Sequence, residues 1–386
     1  MSVTAAQGFR ASGVTAGLKP SGRPDVAVVV NDGPQHAAAG VFTTNRVAAA
    51  PVRLSRAALA DGRAAAVVLN SGGANAATGA AGLEDARRTV EHTAAALSVD
   101  PADVVVCSTG LIGERLAMPL LLEGVSAAAG SLSADGGGDA AVAIMTTDTV
   151  PKQALATGEG HVIGGMAKGA GMLAPGLATM LCVLTTDALL PSAVLDAALR
   201  EAVRTTFDRA DSDGCMSTND TVVLLSSGAS GATPDPGEFT ELLRGVCADL
   251  ARQLIGDAEG ASHEIAIRVV GASTEAAAEA VARAVSRSNL FKAAVFGQDP
   301  NWGRVISAVG TVPEALAPFD ADALDVSFNG VQVCRASGVG EDRSLVDLGA
   351  REVRVEIDLH AGSAEATVWT NDLTHDYVHE NSAYST

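Results

Sequence analysis

Apolar positions along this chain follow two rhythms. Val26–Asn31, apolar up to Asn31, reads as a buried strand closed by the turn signal Asp32-Gly33-Pro34, and residues 64–70 and 104–107 are similar short apolar runs. Each ends in a polar or glycine-rich segment, the pattern of short buried strands. Between the last two, residues 83–97 set Glu84, Arg87, Arg88 and Glu91 among alanines and predict a surface helix. Residues 195–204 and 239–256 predict helices with one apolar face. Alanine-rich 273–288, with Arg283 and Arg287 towards its end, predicts a third. Residues 324–328, 331–334 and 353–359 alternate apolar with polar side chains, as half-buried strands do. Strands interleaved with helices imply layered α and β structure. The run 131–139, Ser-Leu-Ser-Ala-Asp-Gly-Gly-Gly-Asp, predicts a flexible loop. No repeat recurs at a fixed period, and no long Pro/Ser linker marks a boundary.

Composition sharpens this picture. With 386 residues, two domains or one large layered unit is expected. At 47% hydrophobic and 18% charged the chain can build a large core, and with only 3% aromatics that core must be Ala, Val and Leu. A formal net charge of −19 argues against a nucleic-acid partner, whose phosphates reward a basic face. Five cysteines, at 107, 182, 215, 247 and 334, form no Cys-x-x-Cys pair, and their odd number suits buried, reduced thiols. The start, Met-Ser-Val-Thr-Ala-Ala-Gln-Gly, lacks the form of a signal peptide. Apolar runs are broken by Gly, Pro or charge before membrane-spanning length. The expectation is a cytoplasmic protein with no membrane partner.

Several motifs fail on inspection. Residues 169–174 fit the loose dinucleotide fingerprint but lack an acidic partner at the right distance, and 164–169 place no Ser or Thr after the lysine of a phosphate loop. Asp211-Ser212-Asp213-Gly214 has Arg209 in the first position of a calcium loop, and His263-Glu264 meets Ile267 where a zinc helix needs histidine. Neither a metal nor a cofactor is expected.

What remains is 164–187. Glycines flank Lys168, Pro175-Gly176 signals a turn, and Ala178-Thr179 opens the apolar run 180–184, expected to enter the core as a strand. A hydroxyl is thereby fixed at the mouth of a buried element.

Lys168-Gly169-Ala170-Gly171-Met172 followed by Leu177-Ala178-Thr179-Met180-Leu181 resembles the autoprocessing signature of the ornithine acetyltransferase family. Supporting segments run nearly the whole chain: 8–11, 41–45, 70–79, 108–113 (Ser-Thr-Gly-Leu-Ile-Gly), 144–149 (Ile-Met-Thr-Thr-Asp-Thr), 217–221 (Ser-Thr-Asn-Asp-Thr), 296–304 and 381–386. The chain departs from the family pattern at Gly73, Ala77 and Ser262-His263.

The resemblance implies an α+β fold, a layered α/β/β/α sandwich resembling N-terminal-nucleophile enzymes but with different connectivity. It implies self-cleavage between Ala178 and Thr179 into chains 1–178 and 179–386, which stay interwoven and pair as α2β2. Thr179 would then carry acetyl from N2-acetylornithine to glutamate in a ping-pong reaction. No cofactor is implied; acetyl-CoA would enter only as a substrate of a bifunctional form. By resemblance Thr109 and Gly110 form the oxyanion hole, and Thr146, Thr147, Lys168, Thr179, Glu259, Asn381 and Thr386 contact substrate. The chemistry is consistent, because a threonine hydroxyl needs a base. The α-amine freed by cleavage, with an ordinary pKa of about 7.7–8.0, can act as one near neutrality.

Overall fold

A computed structural model describes residues 2–172, 174 and 180–383. The chain divides into two compact units, Met1–Asp208 with Cys215–Asp257, and Arg209–Gly214 with Ala258–Ser385.

The first unit holds two sheets. One runs Phe9–Val14, Val26–Asn31, Ala66–Ser71, Val104–Thr109, and its last pair is parallel, with Ser71 beside Thr109. The other runs Ala37–Phe42, Thr221–Ser226, Leu181–Thr186, His161–Lys168, Lys152–Gly158, with Thr221–Ser226 and Leu181–Thr186 parallel. Because side chains alternate across a strand, an unbroken apolar run serves two cores at once. Val67 and Leu69 pack between the sheets with Val183, Val223 and Leu225. Ala66 and Val68 face Ala94, Leu121 and Val125, on the helices Gly79–Leu97 and Met118–Gly130. On the second sheet Leu181 and Val183 point between the sheets, while Cys182 and Leu184 meet Leu199, Leu243 and Leu250 of Ser192–Thr205 and Pro236–Gly256. The longer of these helices starts where Asp235 accepts the N–H groups of Gly237 and Glu238 and Pro236 takes the first turn. The outcome is the expected α/β/β/α sandwich, each fully buried Val or Leu contributing about 1.5–3 kcal/mol.

Two expectations need correcting. The run 131–139 is not a flexible loop: Ser133 bridges to Ala11, and the helix Gly137–Ala143 begins inside it. Glycine serves there for close approach, since a Cβ on Gly136 would stand 1.9 Å from the Ala11 carbonyl oxygen. Gly164-Gly165 lies inside the strand His161–Lys168, where a Cβ on Gly164 would fall 2.2 Å from the Ser2 carbonyl oxygen. Of the cysteines, 107, 182, 247 and 334 are buried, but Cys215 is exposed.

The second unit is a six-stranded sheet, ordered Gly338–Val339, Val331–Arg335, Asp325–Phe328, Glu352–Asp358, Glu264–Ala272, Ala364–Asn371. Glu275–Ser286, Asn289–Phe296 and Trp302–Val309 cover one face over Ile265, Ile267, Val353 and Val355. The opposite face is polar, with Arg268 bridging Glu356 at 2.8 Å and Glu365 at 2.5 Å. Among the described residues no helix is long and apolar enough to cross a membrane.

Candidate active site

Strand ends in the first unit gather the chemistry. Val104–Thr109 delivers Thr109 buried at its end, and the chain then turns through Gly110 at φ +130°, a conformation that favours glycine. A Cβ there would also stand 2.5 Å from the Gly73 nitrogen. Gly73 in turn donates its N–H to the Thr109 carbonyl at 3.0 Å, so the Thr109-Gly110 corner is fixed by backbone. Lys168 ends the strand His161–Lys168, is 1% exposed, and donates from Nζ to Thr109 Oγ1 at 3.2 Å. Lys168 pairs with Leu181, the residue that opens the next strand. The structure thus brings Thr109, Gly110 and Lys168 together. Ala178 and Thr179 lie outside the described residues, as does the turn Pro175-Gly176; Met180 and Leu181 are described. Cys107, on the same strand as Thr109, is no rival nucleophile, because burial pushes its thiol up to about 12.

Thr146 and Thr147 are half-buried, and the Thr146 N–H donates to Asp148 Oδ2 at 2.9 Å. Asp148 organises this side of the site. It accepts the Gly169 N–H at 2.6 Å and the Lys152 ammonium at 2.6 Å. Lys152, fully buried, also meets Asp257 at 2.6 Å. Burial pushes the Asp148 carboxyl up, but the charges of Lys168 and Lys152 with the Gly169 N–H outweigh it and lower it to about 2.

Replacing Lys152 by methionine would strand two buried carboxylates. The expected cost is about 3–5 kcal/mol, a fall of roughly 6–20 °C in melting temperature; calorimetry showing an unchanged melt would refute this account of the trio. Acid should act in the same direction. Because the folded pKa lies below the ordinary value of 3.8, the stability Asp148 contributes is complete above about pH 4 and lost as pH falls towards 2.

Lys19 approaches from the other side. The Asp25 carboxylate accepts the N–H groups of Ala16, Gly17, Leu18 and Lys19, at 2.6, 3.0, 2.6 and 3.1 Å. That cradle turns Lys19 Nζ onto the carbonyls of Pro24 at 2.8 Å and Met145 at 2.6 Å, the latter just before Thr146. Burial lowers the Lys19 ammonium to about 8, with Lys168 and Arg23 adding to the shift against Asp25 and Asp148. Lys19, Asp25, Lys152 and Asp257 were not singled out from sequence. Lone charges carry no periodic signal, and only folding makes them neighbours.

In the second unit Glu259 and Asn381 meet, Asn381 Nδ2 donating to Glu259 Oε2 at 3.0 Å from the helix His375–Ala383. The departure Ser262-His263 has a local use, since both backbone N–H groups and His263 Nδ1 engage Asp372, the ring at 2.8 Å. Thr386 lies outside the described residues.

A profile described as the ArgJ family matches residues 10–386. A protein of Thermobifida fusca named arginine biosynthesis bifunctional protein ArgJ is 64% identical over 386 residues, all of both chains. Its namesake in Streptomyces coelicolor is 62% identical, again over 100% of each. Among solved structures, an ornithine acetyltransferase of Mycobacterium tuberculosis complexed with ornithine is 53% identical with a TM-score of 0.45, covering 47% of this chain and 96% of its own. A Bacillus halodurans ArgJ structure is 33% identical with a TM-score of 0.49, covering 52% and 97%. A profile match over almost the whole sequence and full-length relatives above 60% identity leave one conclusion: this chain belongs to the ArgJ family.

Proposed function

We propose that this chain is a self-processing acyltransferase of arginine biosynthesis, moving acetyl from N2-acetylornithine to glutamate through an acetyl ester on Thr179. The observation that carries the reading is the buried Lys168–Thr109 contact at 3.2 Å, set beside the strand whose entry follows Thr179. Cleavage of the Ala178–Thr179 bond frees an α-amine that takes the proton of its own residue's hydroxyl. The oxygen attacks the acetyl carbonyl, and the Thr109 hydroxyl with the Gly110 N–H receives the negative oxygen of the tetrahedral centre. Lys168 pairs with a substrate carboxylate, and Glu259, steadied by Asn381, neutralises an ammonium. Ornithine leaves, glutamate binds through the same α-amino-acid head, and the reverse steps acetylate it. Thr146, Thr147 and Thr386 complete the substrate contacts, the fragments 1–178 and 179–386 assemble as α2β2, and the enzyme works in the cytoplasm.

Trapping the acyl-enzyme tests this. Incubated with N2-acetylornithine alone, the Thr179 fragment should gain one acetyl group by mass, and glutamate should discharge it far faster than water. Release at the same rate without glutamate would make the protein a hydrolase, and a fragment that never gains mass would end the proposal. The word bifunctional in the names of the two full-length relatives favours a second donor. Formation of N-acetylglutamate from acetyl-CoA and glutamate is the assay for it.

A further inference from the structure

One buried group hydrogen-bonded to the Met180 N–H has no part in the scheme above. Parallel pairing of Leu181 with Thr221 sets the residues preceding both strands side by side. Thr221 donates its N–H to the Met180 carbonyl at 3.1 Å, and Met180 donates its own to Asp220 Oδ1 at 3.0 Å. The Met180 nitrogen is bonded to the Thr179 carbonyl carbon, so the Asp220 carboxyl is anchored one peptide bond from the reacting residue.

Asp220 is 1% exposed, and its Oδ2 has no hydrogen-bond partner among the described residues. Among the described residues that second oxygen is committed to no group, so it is open to take part in proton transfer. The loop that carries it is tightly held. Asn219 Nδ2 donates to the carbonyls of Ala74 at 2.6 Å and Ser108 at 2.8 Å, and the Asp220 carbonyl accepts the Thr43 N–H at 2.9 Å. The Ser108 contact ties this loop to the strand that ends in Thr109. Burial pushes the Asp220 carboxyl well above the carboxylate range, while the Met180 N–H, Ser217 and the charge of Lys168 pull it back and Asp208 adds to the rise. A carboxyl anchored there and raised by burial holds a proton more readily than an ordinary carboxylate, so it can both take and return one.

We propose that Asp220 is the proton carrier for self-cleavage of the Ala178–Thr179 bond, an assignment that rests on the self-processing reading. The ionised carboxyl takes the Thr179 hydroxyl proton as that oxygen bonds to the Ala178 carbonyl carbon. The tetrahedral centre then breaks its bond to the Thr179 nitrogen, which receives the same proton from the Asp220 carboxylic acid. An ester between Ala178 and the Thr179 oxygen remains. Water opens it, leaving the Ala178 carboxyl group, the Thr179 hydroxyl and a free amine. The carboxyl ends as it began, and no oxidant, reductant or further reactant is needed.

The test follows intact mass over time after cell-free synthesis of wild type, Thr179→Ala and Asp220→Asn. Asp220→Asn keeps an oxygen for the Met180 N–H, so it should melt close to the uncut Thr179→Ala chain yet cleave roughly 10²–10⁴-fold more slowly than wild type. Cleavage at the wild-type rate would overturn the assignment and leave the self-processing reading intact. An uncut wild type would instead remove that reading itself. Should Asp220→Asn fail to fold, Asp220→Ala with added formate decides. Cleavage that rises with formate supports a proton carrier, and cleavage that formate leaves unchanged refutes it.

Discussion

Thr179→Ala should be recovered as one chain of 38.6 kDa, where the wild type separates under denaturing conditions into two fragments, the second beginning at Thr179. The substitution removes the β-hydroxyl of the residue that follows the cleaved bond, so both the attack on Ala178 and the later attack on acetyl lose their nucleophile. Acetyl transfer should fall to background, because no neighbour on the strand replaces it: Met180 and Leu181 are apolar, and the nearest thiol described on that strand, Cys182, is held protonated by burial. Intact mass spectrometry of the two proteins side by side is sufficient. A variant still cut at the same bond would mean that another group or a contaminating protease does the cutting. A wild type that remains whole would make the chain a silent precursor.

Thr109→Val carries the second largest effect. Valine keeps the shape of threonine at the buried strand end but gives up the hydroxyl that Lys168 reaches at 3.2 Å. Loss of one oxyanion donor typically costs ~10²–10³ in turnover. The donor acts on charge that develops only in the tetrahedral centre. kcat should therefore drop together with kcat/KM while KM changes little. The backbone of the corner does not depend on the hydroxyl, since the Thr109 carbonyl is held by the Gly73 N–H, so the melting temperature should stay close to wild type. Steady-state kinetics with N2-acetylornithine and glutamate decide the matter. A normal kcat with a raised KM would recast Thr109 as a substrate contact, and unchanged kinetics would remove it from the site.

The fold of the first unit was legible where one physical signal dominated. Runs such as Val26–Val30 are apolar at every position because both faces of their strand are covered, and the structure places the strand at Val26–Asn31. The alternating segments of the second unit read correctly for the opposite reason, one face being packed and the other wet. Strands rich in glycine and alanine were missed. Ala37–Phe42 and His161–Lys168 owe their place to neighbours that leave no room for a side chain, a property of the partner and not of the segment.

The site divides in the same way. Sequence by itself determined the family and nominated Thr109, Gly110 and Lys168, because resemblance runs along ordered segments over the whole chain. It also set a glycine at 110, where the backbone takes φ +130°. Only the tertiary structure decided that Lys168 is a buried strand residue against Thr109, that Asp148, Lys152 and Asp257 form one buried charge cluster, and that Asp220 lies on the Met180 N–H. Apart from Asp148 and Lys152, four residues apart, those partners lie 40 or more residues apart along the chain and meet only through folding. A carboxylate's chemistry is set by what surrounds it after folding: the same side chain is driven low at Asp148 by two ammoniums and high at Asp220 by burial.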